Sequence, residues 1–505
     1  MQLHELLAGV DVLRRLGQDA TVSGVEYDSR RVRPGSLFVA MRGETSDGNQ
    51  YIEQAAASGA AVVLTDSAAA FDTAAAGPFE VALVEVPHGR RALAQVAANF
   101  FHHPERALAV SGVTGTNGKT TTTFLLEQIL RQAGRETVLV GTIEYRIGRQ
   151  IRPAPHTTPE SRDLLALFAE GVTAGATEAV MEVSSHGLAQ GRIWGVPFDS
   201  AIFTNLTRDH LDYHGTMEEY FQAKARLFVP AQEQGSPAPR VAVLNVDDAA
   251  GARLVPMARA AGSSVVTYGI EDGDLRARAI AMRLDGMRFL LEAPGGSAVI
   301  ETRLTGRVNV YNLLAAAAAA MARGLALENI AAAAPALVPV PGRFELVSEG
   351  QAFAVAVDYA HTDDALRKAI ALARELVEPH GGRVITLFGC GGDRDRTKRP
   401  LMGRAAGEGC EMVVITSDNP RSEDPRAIID DVLPGLAGTA VAAHVEPDRR
   451  QAIRLAISLA QPGDFVLLAG KGHEKTQTIG RTALPFDDVA EASVALRMRI
   501  EEGKR

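Results

Sequence analysis

Short apolar runs alternate with helix-forming segments along most of the chain, and this alternation predicts an α/β protein. The first strand candidates are Val22–Tyr27, Ser36–Ala40, Ala60–Thr65 and Val81–Val86. Alanine-rich, helix-prone stretches lie between them. We therefore expect a small α/β domain over residues 1–105.

A second series of strand candidates predicts a central domain, which we place at residues 106–340. These candidates are Ala107–Val113, Val138–Gly141, Ala179–Val183, Ala201–Phe203 and Val241–Asn245. Because helix-like segments separate them, we expect a largely parallel sheet with helices on both faces. The stretch Leu284–Leu304 alternates apolar and polar residues, which favours antiparallel strands. An alanine-rich helix is predicted at Asn309–Arg323.

A proline-rich segment, Pro335–Gly342, is the best candidate for a linker to a third domain at residues 341–505. Strand candidates follow it at Ala352–Asp358, Val384–Gly389, Met412–Ser417 and Phe465–Ala469. This pattern predicts a Rossmann-like α/β domain. Since ligands of open α/β sheets bind beyond the carboxyl ends of strands, the polar residues after each run are the first functional candidates.

Composition narrows the class of protein further. A length of 505 residues fits about three domains, and a net charge of −9 argues against a general nucleic-acid binder. Only two cysteines, Cys390 and Cys410, are present, which favours a reducing cytoplasm over a disulfide framework. The longest apolar run, Leu313–Ala322, is about half the length of a membrane span. We expect a cytoplasmic protein without membrane insertion.

The strongest chemical pattern is GVTGTNGKTT at residues 112–121, which lies between a strand candidate and a helix-like stretch. Such a loop brings backbone N–H groups to phosphate oxygens, with Lys119 near the outer phosphates and the Thr120 hydroxyl on Mg²⁺. Val113 stands where the strict pattern has its first glycine. We expect ATP phosphates at Gly115, Thr116, Asn117, Gly118, Lys119, Thr120 and Thr121. The loop alone also fits an ATP-binding switch protein.

The loop resembles that of the Mur ligase family, the ATP-dependent amide-forming enzymes that build the peptidoglycan stem peptide. Further segments resemble the family in order along the chain. They are YDSR at 27–30, HTTP at 156–159, EVSSHGL at 182–188, TNLTRDHLDYHG at 204–215, VDYAHT at 357–362, FGCGGDRDRTKRP at 388–400, SDNPR at 417–421 and GKGHE at 470–474. The resemblance therefore covers nearly the whole chain.

The resemblance implies a reaction and its substrates. The set of motifs is most similar to the family member that adds the third peptide residue, and the DNPR motif is similar to that of its meso-diaminopimelate-adding form. The resemblance implies ATP and Mg²⁺ as cofactors, and UDP-N-acetylmuramoyl-L-Ala-D-Glu and meso-diaminopimelate as substrates. It also implies an acyl-phosphate intermediate and a monomer. The lysine-adding form is the first alternative, and Arg421 is the feature that discriminates. A folylpolyglutamate synthetase is a second alternative, against which the YDSR and DNPR segments count.

The resemblance also assigns catalytic and nucleotide-binding roles. Glu182 ends the strand candidate Ala179–Val183 and is well placed to bind Mg²⁺ together with Thr120. The resemblance implies that His210 and a carbamylated Lys224 bind a second Mg²⁺. From the residues alone, Glu182 could cap the following helix, the cluster around His210 could hold zinc, and Lys224 could be solvated. Asn309, Arg343, Asp358 and His361 match family positions around the nucleotide, and Arg343 would arrive as the third domain closes.

Two substrate sites follow in the same way. The UDP-sugar dipeptide is expected at Tyr27, Ser29, Thr157, Thr158, Ser184, Gln190 and Arg192, while Glu44, Thr45 and Ser46 are given no role. Diaminopimelate is expected at Arg394, Asp418, Asn419, Pro420, Arg421, Gly470 and Glu474. An arginine suits its distal carboxylate, and Glu474 suits the distal ammonium; lysine has no such carboxylate.

Overall fold

The computed structural model describes residues 1–43, 46–229, 235–378 and 381–502. Glu44 and Thr45, which received no role above, lie outside the described residues. Three larger sheets and one hairpin make up the strand structure of the described residues, and helices pack against the three larger sheets. Over these residues no helix is both long and apolar enough to span a bilayer. The predicted α/β class is confirmed.

The first sheet has five strands in the order β1-β5-β4-β3-β2, of which only β1 is antiparallel to its neighbour. The strands are β1 Arg14–Leu16, β2 Gly24–Glu26, β3 Ser36–Ala40, β4 Val62–Thr65 and β5 Ala82–Glu85, and the helices are α1 Leu3–Leu6, α2 Ile52–Ala57, α3 Ala68–Ala75 and α4 Gly89–Phe100. The four predicted strands are confirmed as β2–β5. The exposed β1, Arg-Arg-Leu, carries no apolar pattern and was not predicted.

The central sheet is larger than the sequence indicated, with eleven strands. Its strands are β6 Ala109–Thr114, β7 Thr137–Val140, β8 Glu144–Ile147, β9 Gln150–Pro153, β10 Glu178–Glu182, β11 Ser200–Phe203, β12 Val241–Asn245, β13 Ser264–Gly269, β14 Leu275–Arg283, β15 Gly286–Ala293 and β16 Gly296–Thr302. Its helices are α5 Lys119–Gln132, α6 Ser161–Thr173, α7 Ser185–Ala189, α8 Leu211–His214, α9 Met217–Ala225, α10 Ala249–Ala260, α11 Arg307–Ala322 and α12 Leu327–Ala333.

The strand order, β16-β15-β14-β13-β12-β11-β6-β10-β7-β8-β9, determines where the site lies. Strands β14 to β7 in that order are parallel to their neighbours, and antiparallel pairing adds β15 and β16 at one edge and β8 and β9 at the other. The carboxyl end of β6, where the phosphate loop begins, is therefore flanked by the ends of β10 and β11. The alanine-rich α11 packs against α5. Residues from three strand ends meet at one edge of the sheet.

The third sheet has six strands in the order β17-β18-β22-β19-β20-β21, all parallel to their neighbours except β17. Its strands are β17 Glu345–Leu346, β18 Ala354–Asp358, β19 Val384–Phe388, β20 Met412–Ile415, β21 Ala442–Val445 and β22 Phe465–Ala469, with a hairpin of β23 Thr476–Ile479 and β24 Thr482–Pro485. The helices are α13 Asp363–Val377, α14 Lys398–Gly409, α15 Pro425–Val432, α16 Arg449–Leu459 and α17 Asp488–Glu502. The four predicted strands are confirmed.

The proline-rich segment before this sheet is anchored to the central domain. The Val338 N–H donates to Gln128 Oε1 at 2.8 Å, and Gln128 Nε2 donates to the Val338 carbonyl at 3.2 Å. Val340 is buried with Phe124 and Leu139. The segment thus follows α12 and packs against α5, which starts at the phosphate loop, before the chain enters the third domain.

Candidate nucleotide and ligation site

The phosphate loop is held in shape by the segment after β11. The Thr116 N–H donates to the Asn205 carbonyl at 2.8 Å, and the Asn117 N–H donates to Asn205 Oδ1 at 3.0 Å. Asn205 Nδ2 returns a hydrogen bond to the Asn117 carbonyl at 3.0 Å. Thr204 Oγ1 donates to the same carbonyl at 2.6 Å. Thr204 and Asn205, which carried no predicted role, thus fix the loop.

Two glycines allow this close contact. Gly115 has a φ of +147°, and a Cβ there would stand 1.9 Å from Thr204 Oγ1. Gly118 has a φ of +86° and directly precedes α5. No side chain caps α5, so its first N–H groups remain the natural partners of an anion.

Two lysines converge on one carbonyl of the loop. Lys119 Nζ donates to the Gly115 carbonyl at 2.9 Å, and Lys224 Nζ donates to the same oxygen at 2.8 Å. Lys224 is 1% exposed, and its ammonium lies 4.4 Å from the centre of the Tyr220 ring. Burial, together with the charge of Lys119, holds the pKa of Lys224 well below its usual value. The solvated alternative for Lys224 is therefore wrong.

Glu182 ends β10 beside the loop and is fully buried. Its Oε2 accepts from Thr120 Oγ1 at 3.0 Å and from Thr142 Oγ1 at 3.1 Å, and its Oε1 accepts from the Thr142 N–H at 2.7 Å. The alternative in which Glu182 caps α7 is wrong, because Ser184 is that cap. The carboxylate instead faces the first turn of α5.

The ring of His210 lies 4.9 Å from that of His186 and 6.0 Å from that of Tyr220, which the Lys224 ammonium also contacts. The side chain of His210 is still 43% exposed, but partial desolvation and the nearby positive charges of His186, Lys119 and Lys224 lower the pKa of His210 to about 4, although Asp209 opposes this. His214 is buried and pairs with Ser185 Oγ at 2.9 Å, which gives it a structural role. Among the residues that the structure describes, no three His, Cys, Asp or Glu side chains are grouped as a metal site.

The third domain reaches the phosphate loop through Arg343. Its guanidinium lies 3.4 Å from Thr120 Oγ1 and 4.8 Å from the centre of the Tyr359 ring. Asp358 accepts the Phe344 and Ala360 N–H groups, each at 2.8 Å, and burial raises the pKa of Asp358 although Arg343 opposes this. These contacts place Arg343 and Asp358 at the junction of the two domains.

The other two predicted nucleotide residues lie on either side of this junction. His361 shares a hydrogen bond of 2.9 Å with the Tyr359 carbonyl, and burial lowers the pKa of His361. Asn309, in the first turn of α11, donates to the carbonyl of Thr305 just before the helix at 2.8 Å and accepts from Asn312 at 3.0 Å. Asn312 Oδ1 in turn accepts from Thr122 Oγ1 of α5 at 3.4 Å, so Asn312 connects Asn309 to α5.

Four of the residues predicted to bind the UDP-sugar dipeptide gather around Glu182. Thr157 Oγ1 lies 3.0 Å from Thr142 Oγ1, and Thr158 Oγ1 donates to the Glu182 carbonyl at 3.0 Å. Ser184 Oγ lies 3.1 Å from Thr158 Oγ1, and Arg192 donates to the Thr158 carbonyl at 2.9 Å. The cluster is linked to the phosphate loop through Glu182 and Thr120, and to the first domain through Glu160, which pairs with both Arg192 and Arg90.

The other three lie further from Glu182 along the chain or in the first domain. Gln190 ends α7, and its Oε1 is buried without a hydrogen-bond partner in the described part of the chain. Tyr27 donates to Asp163 Oδ2 of α6 at 2.6 Å, and burial together with this bond raises the pKa of Tyr27. Ser29 donates to Gln54 Oε1 at 3.2 Å. Tyr27 thereby ties the first domain to the central one.

The predicted amino-acid site is organised around Asn419 and a buried lysine. Asn419 Nδ2 donates to Glu474 Oε2 at 2.8 Å. Lys471, fully buried, places its Nζ 3.2 Å from Asn419 Oδ1, 3.1 Å from Glu474 Oε2 and 3.6 Å from Asp418 Oδ1. Lys471 carried no predicted role, although it stands within the quoted GKGHE motif.

The rest of this site is formed by backbone turns and two arginines. Arg421 has a φ of +50° and donates to the Gly392 carbonyl at 2.7 Å, while Pro420 precedes it and Arg394 is exposed nearby. Gly470 has a φ of +111°, and its N–H donates to the Asp358 carbonyl at 3.0 Å. Gly470 therefore joins the amino-acid loop to the nucleotide residues.

Comparison with known proteins gives one family over all three domains. Models described as "Mur ligase family, catalytic domain", "Mur ligase middle domain" and "Mur ligase, glutamate ligase domain" match residues 21–101, 113–320 and 342–472. A protein from Solibacter usitatus is 50% identical over 98% of both chains, and one from Geobacillus kaustophilus is 47% identical over 96% of both. Both bear the name UDP-N-acetylmuramoyl-L-alanyl-D-glutamate--2,6-diaminopimelate ligase.

Comparison with solved structures also gives Mur ligases. A structure with that same name is 35% identical, covers 95% of both chains and has a TM-score of 0.67. A MurF ligase from Thermotoga maritima in complex with ADP has a TM-score of 0.65 over 95% of this chain and 98% of its own, and at 18% identity it supports the fold alone. With a relative 50% identical over 98% of both chains, this chain belongs to the Mur ligase family.

Proposed function

We propose that this chain is an ATP-dependent amide ligase of peptidoglycan precursor synthesis. It would join meso-diaminopimelate to the γ-carboxylate of D-glutamate in UDP-N-acetylmuramoyl-L-alanyl-D-glutamate. The observation that carries the proposal is a buried carboxylate, Glu182, bonded to Thr120 of a phosphate loop that Arg343 of the third domain also contacts. The full-length relatives named for this activity support the same substrates.

Amide formation from a carboxylate requires a better leaving group than hydroxide. The carboxylate oxygen attacks the γ-phosphorus of ATP, which yields an acyl phosphate and ADP. The amine then attacks the carbonyl carbon, phosphate leaves with the former carboxylate oxygen, and the amine nitrogen loses a proton. Because both steps concentrate negative charge, the site needs fixed cations and N–H donors.

The phosphate loop supplies these groups for ATP. Residues 115–121 would surround the phosphates of ATP, with the N–H groups of residues 118–121 at the start of α5 as donors, because those of Thr116 and Asn117 donate to Asn205. Lys119 would reach the outer phosphates. Thr120 and Glu182 fit Mg²⁺, since both offer oxygen and Glu182 is a fully buried carboxylate. Bound there, Mg²⁺ would neutralise charge on the transferring phosphoryl group. Asn309, Arg343, Asp358 and His361 would contact the rest of the nucleotide.

Lys224 fits a second Mg²⁺ only in a modified form, because an ammonium repels a cation. Its lowered pKa favours the neutral amine, which is the form that attacks CO₂. The nitrogen bonds to the carbon and loses a proton, and the product is a carbamate with two ligand oxygens. Carbamylated Lys224 and the neutral His210 would then hold the second Mg²⁺.

The first substrate would lie along the junction between the first and central domains. Hydroxyl and guanidinium groups beside Glu182 suit sugar, diphosphate and carboxylate oxygens, and they come from Thr157, Thr158, Ser184 and Arg192. Gln190, at the end of α7, would add an amide group. Tyr27 and Ser29 would contact the uridine end in the first domain. The dipeptide tail would then point toward the phosphate loop.

The amino acid would bind in the third domain, on the two loops that Asn419 and Lys471 join. Arg394 and Arg421 would face the carboxylates of diaminopimelate, and Glu474 would accept its distal ammonium. Asp418, Asn419, Pro420 and Gly470 would complete the pocket. Lysine would leave a distal arginine facing an ammonium, which disfavours it.

The proposal includes a division of labour among domains with boundaries near residues 105 and 340. The first would bind the UDP moiety, the second ATP, and the third the amino acid, in a monomer of the cytoplasm. The three sheets, each with its own buried core, support this division.

The test is phosphate release from the purified protein with ATP, Mg²⁺ and the UDP-dipeptide, with meso-diaminopimelate or L-lysine added in parallel. The proposal requires turnover with diaminopimelate and little with lysine. Turnover with lysine alone would keep the ligase chemistry and overturn the amino-acid assignment. Turnover that depends on neither amino acid would contradict the proposed function.

A further inference from the structure

A fully buried ion pair lies beneath the two loops proposed to bind the amino acid. Nε and one terminal nitrogen of Arg449 donate to the two carboxylate oxygens of Asp488 at 2.8 and 2.6 Å. Arg449 is 1% exposed and Asp488 is 0% exposed. Arg449 is the first residue of α16, and Asp488 is the first residue of α17.

The same guanidinium contacts the ends of two strands. Its Nη2 donates to the carbonyl of Ala469, the last residue of β22, at 3.0 Å. Its Nη1 lies 3.5 Å from the carbonyl of Ser417, just beyond β20. Ala469 directly precedes the 470–474 loop, and Ser417 directly precedes the 418–421 loop. Since β19 separates β20 from β22, Arg449 spans three strands.

Stability alone is a weak reason for this arrangement. A buried ion pair often adds little compared with a well-packed apolar pair, because both charges lose their water. A cation in the first turn of a helix is also opposed by the helix dipole. The planar guanidinium nevertheless provides donors in fixed directions, which suits it to set a distance between groups.

We propose that Arg449 is a positioning residue for the amino-acid site, which fixes the separation of the 418–421 and 470–474 loops while Asp488 holds it in place. This inference rests on the proposed function, which assigns the amino acid to those loops. A substrate with charged groups at both ends requires its partners on the two loops at a set distance, so a small displacement weakens binding. Arg449 itself would touch no substrate.

A second ion pair, at the opposite ends of the strands of the same sheet, offers a matched control for the loss of a buried arginine–aspartate contact. Arg383 directly precedes β19, and Asp464 directly precedes β22. Arg383 donates to Asp464 Oδ2 at 2.6 Å, and Asp464 is almost fully buried. This pair ties the starts of two strands, whereas Arg449 and Asp488 tie strand ends. Its loss perturbs the same domain far from the proposed loops.

The experiment compares Arg449→Met, Arg449→Lys, Asp488→Asn and Arg383→Met in the full-length chain. We expect Arg449→Met to raise the KM for meso-diaminopimelate about tenfold or more, with the KM for ATP and for the UDP-dipeptide within about twofold. Arg383→Met should lower Tm without raising the KM for diaminopimelate. Arg449→Lys should restore part of the loss. Equal KM values in the two Met variants, or a joint rise of all three KM values, would overturn the proposal.

Two further measurements test the positioning role of Arg449 if the Arg449→Met variant does not fold or if the proposed function is wrong. If Arg449→Met does not fold, the nearly isosteric Asp488→Asn carries the same expectation. If the wild type shows no amino-acid-dependent turnover, the proposed function fails, and amide hydrogen exchange then tests the positioning role. Exchange in residues 418–421 and 470–474 should be about tenfold faster in Arg449→Met than in Arg383→Met. Equal exchange would overturn it.

Discussion

Substitution of Gly115 by alanine should weaken nucleotide binding more than it weakens the fold. The φ of +147° at Gly115 is unfavourable for any residue with a Cβ. The new Cβ would also stand 1.9 Å from Thr204 Oγ1 and 3.1 Å from the backbone N and O of Asn205. Because the loop is hydrogen-bonded to both residues, it cannot move aside without losing those bonds.

The magnitude follows from two terms. Holding alanine in this sparsely populated backbone region costs about 1–3 kcal/mol, and overpacking at a well-packed position costs a further ~1–3 kcal/mol. Without nucleotide, the loop relaxes and relieves part of this strain, whereas phosphate binding requires the original geometry. We therefore expect a loss of at least about 2 kcal/mol in ATP binding, which is a Kd raised roughly 30-fold or more.

Isothermal titration with ATP and Mg²⁺ measures this directly, and thermal unfolding reports the fold. Gly134→Ala is the matched control: its φ is +78°, it follows α5, and nothing lies within 4 Å of the position of its Cβ. It should leave the Kd for ATP unchanged. A Thr204→Ala background should recover part of the loss from Gly115→Ala, as a double-mutant cycle tests. A Kd for Gly115→Ala within about threefold of the wild type would refute the reasoning.

Three more predictions concern other parts of the site. Glu182→Gln keeps the shape of the side chain but removes its buried charge, so we expect kcat to fall about 100-fold or more with little change in Tm. Phosphate release measures kcat, and a near-normal kcat would exclude a catalytic role for this carboxylate. Arg343→Ala should reduce ATP turnover strongly in the same assay, and full turnover would contradict its nucleotide role. His473 lies in the 470–474 loop, with its ring 4.9 Å from that of Tyr359. Burial lowers the pKa of His473 to about 4, below its unfolded value near 6.5, so the folded chain binds fewer protons. The contribution of neutral His473 to the free energy of unfolding is therefore complete above about pH 6.5 and is lost as pH falls toward 4. In His473→Gln, the slope of the free energy of unfolding against pH, measured by denaturant titration, should be smaller between these values by up to about 1.4 kcal/mol per pH unit. An unchanged slope would contradict this.

Patterns local in sequence identified much of the fold and part of the site. The strands that became β6, β10, β12, β19 and β22 are apolar runs bounded by polar or glycine residues, which is a short-range signal. Glu182 was found because it ends a strand, and the ends of neighbouring parallel strands meet at one edge. Short edge strands such as β1 were missed, because pairing with β5 rather than their own pattern defines them.

Features that depend on tertiary packing were not visible in the sequence. Lys224 reads as a solvated helical lysine, yet α9 packs it onto the Gly115 carbonyl. Asn205 and Thr204 shape a loop about 90 residues earlier, and only strand order brings them there. Lys471 is buried between Glu474 and Asp418 and compensates their charges, and its position in the sequence did not predict this contact.

The central claim is that ATP activates the γ-carboxylate of the UDP-dipeptide as an acyl phosphate. The most direct measurement uses UDP-dipeptide labelled with ¹⁸O in that carboxylate, together with ATP, Mg²⁺ and meso-diaminopimelate, and analyses the released phosphate by mass spectrometry. The account predicts one ¹⁸O atom in each phosphate released, because the carboxylate oxygen leaves with the phosphoryl group. Unlabelled phosphate would mean that water, and not the carboxylate, attacks ATP, and would contradict the account.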